Sequence, residues 1–341
     1  MAKTSHLNSP SSILHPPPIF IAGPTAVGKS EIALLLAEKI GGEIISVDSM
    51  QVYRGLDIGT AKPSAEERGR VRHHLIDVVE LTEPFDAAQF VSRANMAVTE
   101  IQSRGQVPIF CGGTGLYFKA FLEGLGEAPP ADEKLRAELE MVPLPELLAE
   151  LAERDPVTYE KIDRKNPRRV IRAVEVIRLT GRKFSEQRAE WEKSKVQGPR
   201  SKVQGPQSTV AFGLAREMTD LRARIDARVE AMFARGLVGE TRQLLEHGLA
   251  QNKTAMQALG YRQVVEHLRG EHSLPETIEL VKIKTRQFAK RQMTWFRRQL
   301  DLRWFEPATT DTPEAMMHRF SAFISSPPIP AHTGQSGRSL R

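Results

Sequence analysis

Gly23-Pro24-Thr25-Ala26-Val27-Gly28-Lys29-Ser30 is the stretch best suited to chemistry, because it fits G-x-x-x-x-G-K-[ST]. Each residue type has a physical task there. Gly23 and Gly28 let the backbone curl until successive N–H groups point inward at an anion. Lys29 supplies a point charge to terminal phosphates, and Ser30 offers a hydroxyl oxygen to Mg²⁺. A chance match on an ordinary strand–turn–helix is the competing reading. The flanks argue against it: Ile19-Phe20-Ile21-Ala22 reads as a buried strand and Glu31 to Lys39 as a helix. That helix presents unpaired N–H groups and a favourable dipole to an anion. A phosphorylated ligand is therefore predicted.

Two further polar clusters fall at strand ends. Glu43 to Val47 reads as a second strand, with Asp48-Ser49-Met50-Gln51-Val52-Tyr53 at its carboxyl end. Open parallel sheets bind ligands at that end. Asp48 has three possible roles: holding Mg²⁺ through water, acting as a general base, or capping the following turn. Val107 to Cys111 reads as a third buried strand, closed by Gly112-Gly113-Thr114-Gly115. Those residues form either a plain turn or a contact to an anion or a base. The P-loop, Asp48 and Gly112 to Thr114 are expected to meet in one crevice. His73 and His74 open an expected extended piece, His73 to Val78, and read as hydrogen-bonding groups rather than ligands. P-loop ATPases and kinases usually carry a buried strand ending in Asp for the metal. Here the best strand ends in glycines, which leaves room for a different reaction of a diphosphate.

These residues need a scaffold, and the pattern supplies one. Ala87 to Arg104 has helical apolar spacing at Phe90, Ala94, Ala97, Val98 and Ile101. Strands alternating with helices predict an α/β fold, a P-loop NTPase-like parallel sheet flanked by helices. From 128 to 207 the pattern is helical and charged, with 14 Lys or Arg against 5 Asp or Glu between Lys161 and Lys202. Within it, Ser194 to Arg200 and Ser201 to Gln207 form a near-perfect tandem repeat, read as an exposed loop. Thr209 to Leu214 resumes strand character, and helices follow from Asp220 to Arg298. Between Lys282 and Arg303 stand 8 Lys or Arg and one acid, with Phe288, Trp295, Phe296 and Trp304 interleaved. An ordinary basic helix face explains one such stretch; two favour a nucleic-acid partner. Leu302 to Phe305 reads as a last edge strand. The expected organisation is a tail at 1–17, a core at 18–127, a helical insertion at 128–207, the rest of the core at 208–325 and a tail at 326–341.

Composition fits that scheme. The 341 residues are 40% apolar and carry a net charge of +6, and the pI is near 9.4. Cys111 is the single cysteine, which excludes a disulfide framework and a cysteine-rich zinc site. No apolar run reaches membrane-spanning length, and residues 1–17 lack a signal-peptide core. A cytoplasmic protein with no membrane partner is expected.

The motifs together resemble the tRNA dimethylallyltransferase family, bacterial type. The P-loop, Asp48 to Tyr53, Gly59-Thr60-Ala61-Lys62-Pro63, His73 to Asp77 and Gly112 to Tyr117 stand in that family's order. Asn166 to Ala173, Ala258 to Gln263 and Lys290 to Arg297 extend the match to about residue 307. The resemblance implies transfer of a five-carbon prenyl group from dimethylallyl diphosphate to N6 of the adenosine just 3′ of a tRNA anticodon. It implies Mg²⁺ on Ser30, and diphosphate binding by Gly23, Pro24, Thr25, Ala26, Val27, Gly28, Lys29 and Ser30. Asp48 is then the base, with Thr114 beside it and Lys29 and Arg224 on the leaving group. For the tRNA anticodon stem-loop it implies Asp48, Ser49, Met50, Gln51, Thr114 and Arg136. It adds Arg168, Arg169, Val170, Ile171 and Arg172 in the insertion. Gln257, Ala258, Leu259, Gly260, Tyr261 and Arg262 follow, then Lys290, Arg291, Gln292, Met293, Thr294, Trp295, Phe296 and Arg297. A monomer is expected. The alternatives are a small-molecule or nucleoside kinase on the same P-loop, and a non-catalytic RNA-binding protein.

Overall fold

A computed structural model of the chain describes residues 16–125, 129–186 and 211–326. Six parallel strands make one sheet: β1 (Ile19–Ala22), β2 (Gly42–Val47), β3 (His73–His74), β4 (Val107–Gly112), β5 (Ala211–Leu214) and β6 (Arg303–Phe305). Their order is β3-β2-β4-β1-β5-β6. The central strands are short apolar runs buried on both faces, as a helix-covered parallel sheet requires. Ile21 pairs with Cys111 on one side and Phe212 on the other. Phe20 and Phe110 pair in the next register position and stack, with ring centroids 4.7 Å apart.

Helix α1 (Lys29–Ile40) leaves the glycine loop at Gly28, whose φ of 102° is a region that residues with a Cβ avoid. Helix α2 (Ala65–Arg70) starts with a capping box between Ser64 and Glu67. Helix α3 (Ala87–Ser103) does the same with Asp86 and Gln89, and buries the stripe Phe90, Ala94, Ala97, Val98 and Ile101. Helix α4 (Gly115–Glu123) follows β4. Helices α5 (Glu133–Met141), α6 (Leu144–Arg154), α7 (Pro156–Lys161) and α8 (Pro167–Thr180) come next. After β5 come α9 (Met218–Ala234), α10 (Leu237–Glu246), α11 (Tyr261–Leu268) and α12 (Leu274–Gln299), and α13 (Pro313–Ser325) follows β6.

The described residues fall into two compact units. One is residues 119–125 and 129–186; the other joins 16–118 to 211–326. In the sheet unit Ile21, Cys111 and Phe212 share a core with Ile32 and Leu36 of α1, Ile225 and Val229 of α9, and Phe320 of α13. In the helical unit Leu139, Leu147, Leu151, Val170 and Val174 form a separate core. No helix of the described residues is long and apolar enough to cross a membrane.

One element differs from expectation. Of the predicted extended piece His73 to Val78, only His73 and His74 are strand. Leu75 and Asp77 adopt φ of 61° and 57°, which breaks the ladder. At this break the Asp77 carboxylate accepts from Lys62 Nζ at 2.5 Å and from Arg68 at 2.8 Å. The tandem repeat at 194–207 and most of both expected tails lie outside the described residues.

Candidate active site

The P-loop is held from three sides. Thr25 N–H donates to Gln292 Oε1 at 2.9 Å, Arg224 Nε donates to the Ala26 carbonyl at 3.1 Å, and Arg216 Nε donates to the Val27 carbonyl at 2.9 Å. Arg216 also pairs with Asp220 at 2.7 Å. Lys29 folds over its own loop, with Nζ 2.6 Å from the Pro24 carbonyl. Burial lowers its pKa to about 8; Cys111 and Asp48 oppose the shift, and Arg228 adds to it. Burial pushes the Cys111 thiol up to about 11, so it stays protonated beside Lys29. Ser30 is exposed on the first turn of α1.

Asp48 divides its carboxylate between two tasks. Its Oδ1 accepts from the N–H groups of Met50 and Gln51 at 2.8 and 3.2 Å, which caps the turn after β2. Among the described residues Oδ2 has no hydrogen-bond partner, so it is left for the site. The neighbouring Ser49 N–H donates to Thr114 Oγ1 at 3.1 Å, and Thr114 N–H donates to the Val47 carbonyl at 3.1 Å. Gln292 Nε2 donates to the Gly113 carbonyl at 2.9 Å. Gln292 thus ties the P-loop to the loop after β4. Gly115 packs against Trp295 so closely that a Cβ would lie 2.2 Å from the ring. The P-loop, Asp48 and Thr114 therefore meet at the carboxyl ends of β1, β2 and β4.

Other expected site residues are placed differently. Gln51 is spent on structure: it accepts from Ser46 Oγ and donates to the carbonyls of Thr60 and Ala61. His73 and His74 are hydrogen-bonding groups, on the Val71 carbonyl and on Glu43. Val170 and Ile171 lie in the core of the helical unit. Ala258, Gly260, Tyr261, Gln292 and Phe296 are buried in the sheet unit. The side chains of Ala258, Tyr261, Gln292 and Phe296 are enclosed by their own unit. Tyr261, for example, donates to Glu240 at 2.5 Å and accepts from Gly59 N–H at 3.0 Å. Arg168, Arg169, Gln257, Arg262, Lys290, Arg291, Thr294 and Arg297 are exposed, while Leu259, Met293 and Trp295 are half-buried. Arg136 and Arg172 both pair with fully buried Glu175, at 2.7 Å each. Sequence reasoning missed Arg216, Arg228 and the bridging task of Gln292. Only Arg228 had a usable signal, its spacing of four residues from Arg224.

Comparison with known proteins gives this site a family. The IPP transferase family profile matches residues 51–299. The curated tRNA dimethylallyltransferase 1 of Trichlorobacter lovleyi is 45% identical over 295 residues, covering 85% of this chain and 94% of that protein. The tRNA dimethylallyltransferase of Geobacter metallireducens is 45% identical over 292 residues, covering 84% and 92%. The crystal structure of a tRNA isopentenylpyrophosphate transferase from Bacillus halodurans superposes with a TM-score of 0.64 at 38% identity, covering 90% of this chain and 95% of that one. A eukaryotic dimethylallyltransferase acting on tRNA gives a TM-score of 0.71 at 29% identity, covering 92% and 81%. With the matched profile spanning most of the chain and its relatives aligned nearly end to end, this chain belongs to the IPP transferase family.

Proposed function

We propose that the chain transfers a dimethylallyl group from dimethylallyl diphosphate to N6 of the adenosine 3′-adjacent to a tRNA anticodon. The observation that carries the reading is the convergence of an anion-binding loop with a carboxylate oxygen that has no partner. The loop's N–H groups and Lys29 face the diphosphate, and Asp48 Oδ2 faces the acceptor, with Thr114 between them. The allylic C–O bond breaks and diphosphate leaves with the electron pair. The adenine nitrogen forms the new N–C bond, and its proton passes to Asp48. Charge grows on the leaving oxygens, so fixed N–H donors and Lys29 stabilise the transition state more than the ground state. The donor set also fits Mg²⁺ at Ser30 Oγ, a hard oxygen at the end of the loop, since this ion keeps several waters and binds through substrate phosphates. When bound it would act as a Lewis acid on the leaving diphosphate. The target base must leave its stack to reach the crevice. In the helical unit the exposed arginines of α8, and in the sheet unit Arg262 and the exposed lysines and arginines of α12, are the cations offered to the anticodon stem-loop. The reading is of a monomer acting in the cytoplasm, where its tRNA substrates are.

The test uses unmodified tRNA and Mg²⁺ with either labelled dimethylallyl diphosphate or labelled ATP. Prenyl label entering RNA supports the proposal. Transfer of phosphate from ATP to RNA or to a small acceptor, with no prenyl label in RNA, would replace it with the kinase reading.

A further inference from the structure

The turn that carries Asp48 is braced from behind by a buried cation. Lys62 lies three residues after Gly59, and its side chain is 2% exposed. Its ammonium has three N–H donors and meets three acceptors: the Tyr53 carbonyl at 2.6 Å, Asp57 Oδ1 at 2.7 Å and Asp77 Oδ1 at 2.5 Å. Two of these lead straight to the turn. Tyr53 is its last residue. Asp77 donates its own N–H to the Gln51 carbonyl at 3.1 Å, and Val78 N–H donates to the Val52 carbonyl at 2.8 Å. The two residues before Lys62 take the Gln51 side chain, whose Nε2 donates to the Thr60 and Ala61 carbonyls at 3.1 and 3.3 Å. Gln51 N–H in turn donates to Asp48 Oδ1. The frame behind Lys62 is itself fixed. Glu240 of α10 accepts from Ile58 N–H at 2.9 Å, Tyr261 of α11 accepts from Gly59 N–H at 3.0 Å, and Arg68 holds the other oxygen of Asp77 at 2.8 Å.

Bringing these groups together is unfavourable for the chain in two ways. Ala61, Leu75 and Asp77 take left-handed backbone, with φ of 46°, 61° and 57°, and none is glycine. Such conformations persist only where the surrounding contacts over-determine them. An ammonium is also removed from water, which is tolerated only when it is paired and hydrogen-bonded. A buried ion pair can often be exchanged for apolar side chains without loss of stability, so stability of the fold is not by itself a reason for this one. What Lys62 supplies and an apolar group cannot is direction: three bonds that set the register of the 48–53 turn against the loops behind it. We propose that Lys62 is a positioning residue for the transfer, holding the Asp48–Tyr53 turn so that Asp48 Oδ2 faces the acceptor nitrogen. It acts through Asp48 and touches neither substrate. This rests on the proposed prenyl-transfer reading and adds to it a residue outside the reacting groups.

The test is a double-mutant cycle on the full chain, with unmodified tRNA, dimethylallyl diphosphate and Mg²⁺, read as single-turnover prenyl transfer per folded molecule. Lys62→Met keeps the aliphatic stem and removes all three bonds. Its rate should fall by on the order of 10–100-fold, the scale of a misplacement of about 1 Å, while tRNA and diphosphate affinities stay within about threefold of wild type. In an Asp48→Asn background the same substitution should change the rate by less than about twofold, because a group acting through Asp48 then has no base left to position. Val98→Ala, in the buried stripe of α3, is the control: it loses stability through a core cavity and should leave the rate unchanged in both backgrounds. A Lys62→Met rate within about twofold of wild type would overturn the inference, as would a loss repeated in full on Asp48→Asn. Should Lys62→Met fail to fold, Asp77→Asn carries the same cycle, since it keeps the main-chain N–H to Gln51 and loses the counter-charge of Lys62. A smaller rate loss is expected there, again absent in the Asp48→Asn background, and an unchanged rate overturns the inference. Wild type that prenylates tRNA no faster than Lys62→Met defeats this inference alone; wild type that transfers no prenyl group defeats the prenyl-transfer reading with it.

Discussion

Lys29 and Asp48 each carry a measurable consequence of their surroundings. The folded pKa of Lys29, about 8, lies below its ordinary value of 10.5 because burial penalises the ammonium. Below pH 8 the lysine is charged in both folded and unfolded chains, and the penalty is fully present. Between 8 and 10.5 the folded protein gives up the proton first, so stability from this group rises with pH. The unfolding free energy of wild type minus that of Lys29→Met should therefore increase from pH 7 to pH 10 in ligand-free protein. Equal differences at the two pH values would show that the lysine is not desolvated. Diphosphate binding should run the other way, weakening above about pH 8 as the ammonium is lost. At Asp48 the two carboxylate oxygens can be separated. Asp48→Asn keeps an acceptor for Met50 and Gln51 but loses the base, so kcat should fall by roughly 10²–10⁴ with the melting temperature nearly unchanged. Asp48→Ala should lose the cap as well, at about 1 kcal/mol of stability. Single-turnover prenyl transfer and thermal unfolding on both variants decide it: a fast Asp48→Asn enzyme removes the base from the mechanism.

At the scale of elements, the part of the site legible in the sequence is the part built from local signals. The strand–loop–helix from Ile19 to Ile40 is readable because glycines punctuate it and the strand is apolar throughout. The buried stripe of α3 is readable because Phe90, Ala94, Ala97, Val98 and Ile101 keep the helical period. What stays hidden is set by contacts distant in sequence. Gln292 in a basic helix looks like a solvated or RNA-facing residue. Its two bonds, to Thr25 and to Gly113, span 267 and 179 residues, and no window pattern reports them. At the break after His74 the pairing of Asp77 with Lys62 is likewise non-local, and Arg228 passes for one more charge on an exposed face. The bridging element can be tested. Gln292→Ala leaves the Thr25 N–H and the Gly113 carbonyl unpaired in a mostly buried place, so about 1–3 kcal/mol of stability should be lost. Diphosphate affinity should fall with it, because the P-loop loses one of its three tethers, whereas tRNA affinity should move less. A variant with normal unfolding and normal diphosphate affinity would mean that Gln292 does not brace the loop.

Over the whole molecule, the net charge of +6 is less informative than how the charges are spent. Many arginines are committed to carboxylates: Arg104 to Glu43, Arg178 to Glu150, and Arg286 to Asp226. In the helical unit Arg136 and Arg172 share buried Glu175, which fixes both side chains and cancels one of their charges. Arg168 and Arg169 lie at the exposed start of α8. If this unit reads RNA through phosphates, the two kinds of arginine should behave differently. Replacing Arg168 and Arg169 together by Gln should weaken tRNA binding and lower the slope of log affinity against log salt by about 1–2, on the order of one phosphate contact each. The fold should be unaffected. Glu175→Gln should instead destabilise the helical unit, because two arginines lose their buried counter-charge and one of the two acceptor oxygens becomes an NH2 donor. Its effect on tRNA should then track unfolding rather than salt. Diphosphate affinity should stay constant in the Arg168 and Arg169 variant, since every residue facing the P-loop is intact. Binding isotherms at several salt concentrations provide the measurement. A salt slope identical to that of wild type would remove the start of α8 from the RNA surface and leave α12 as the basic face to be tested.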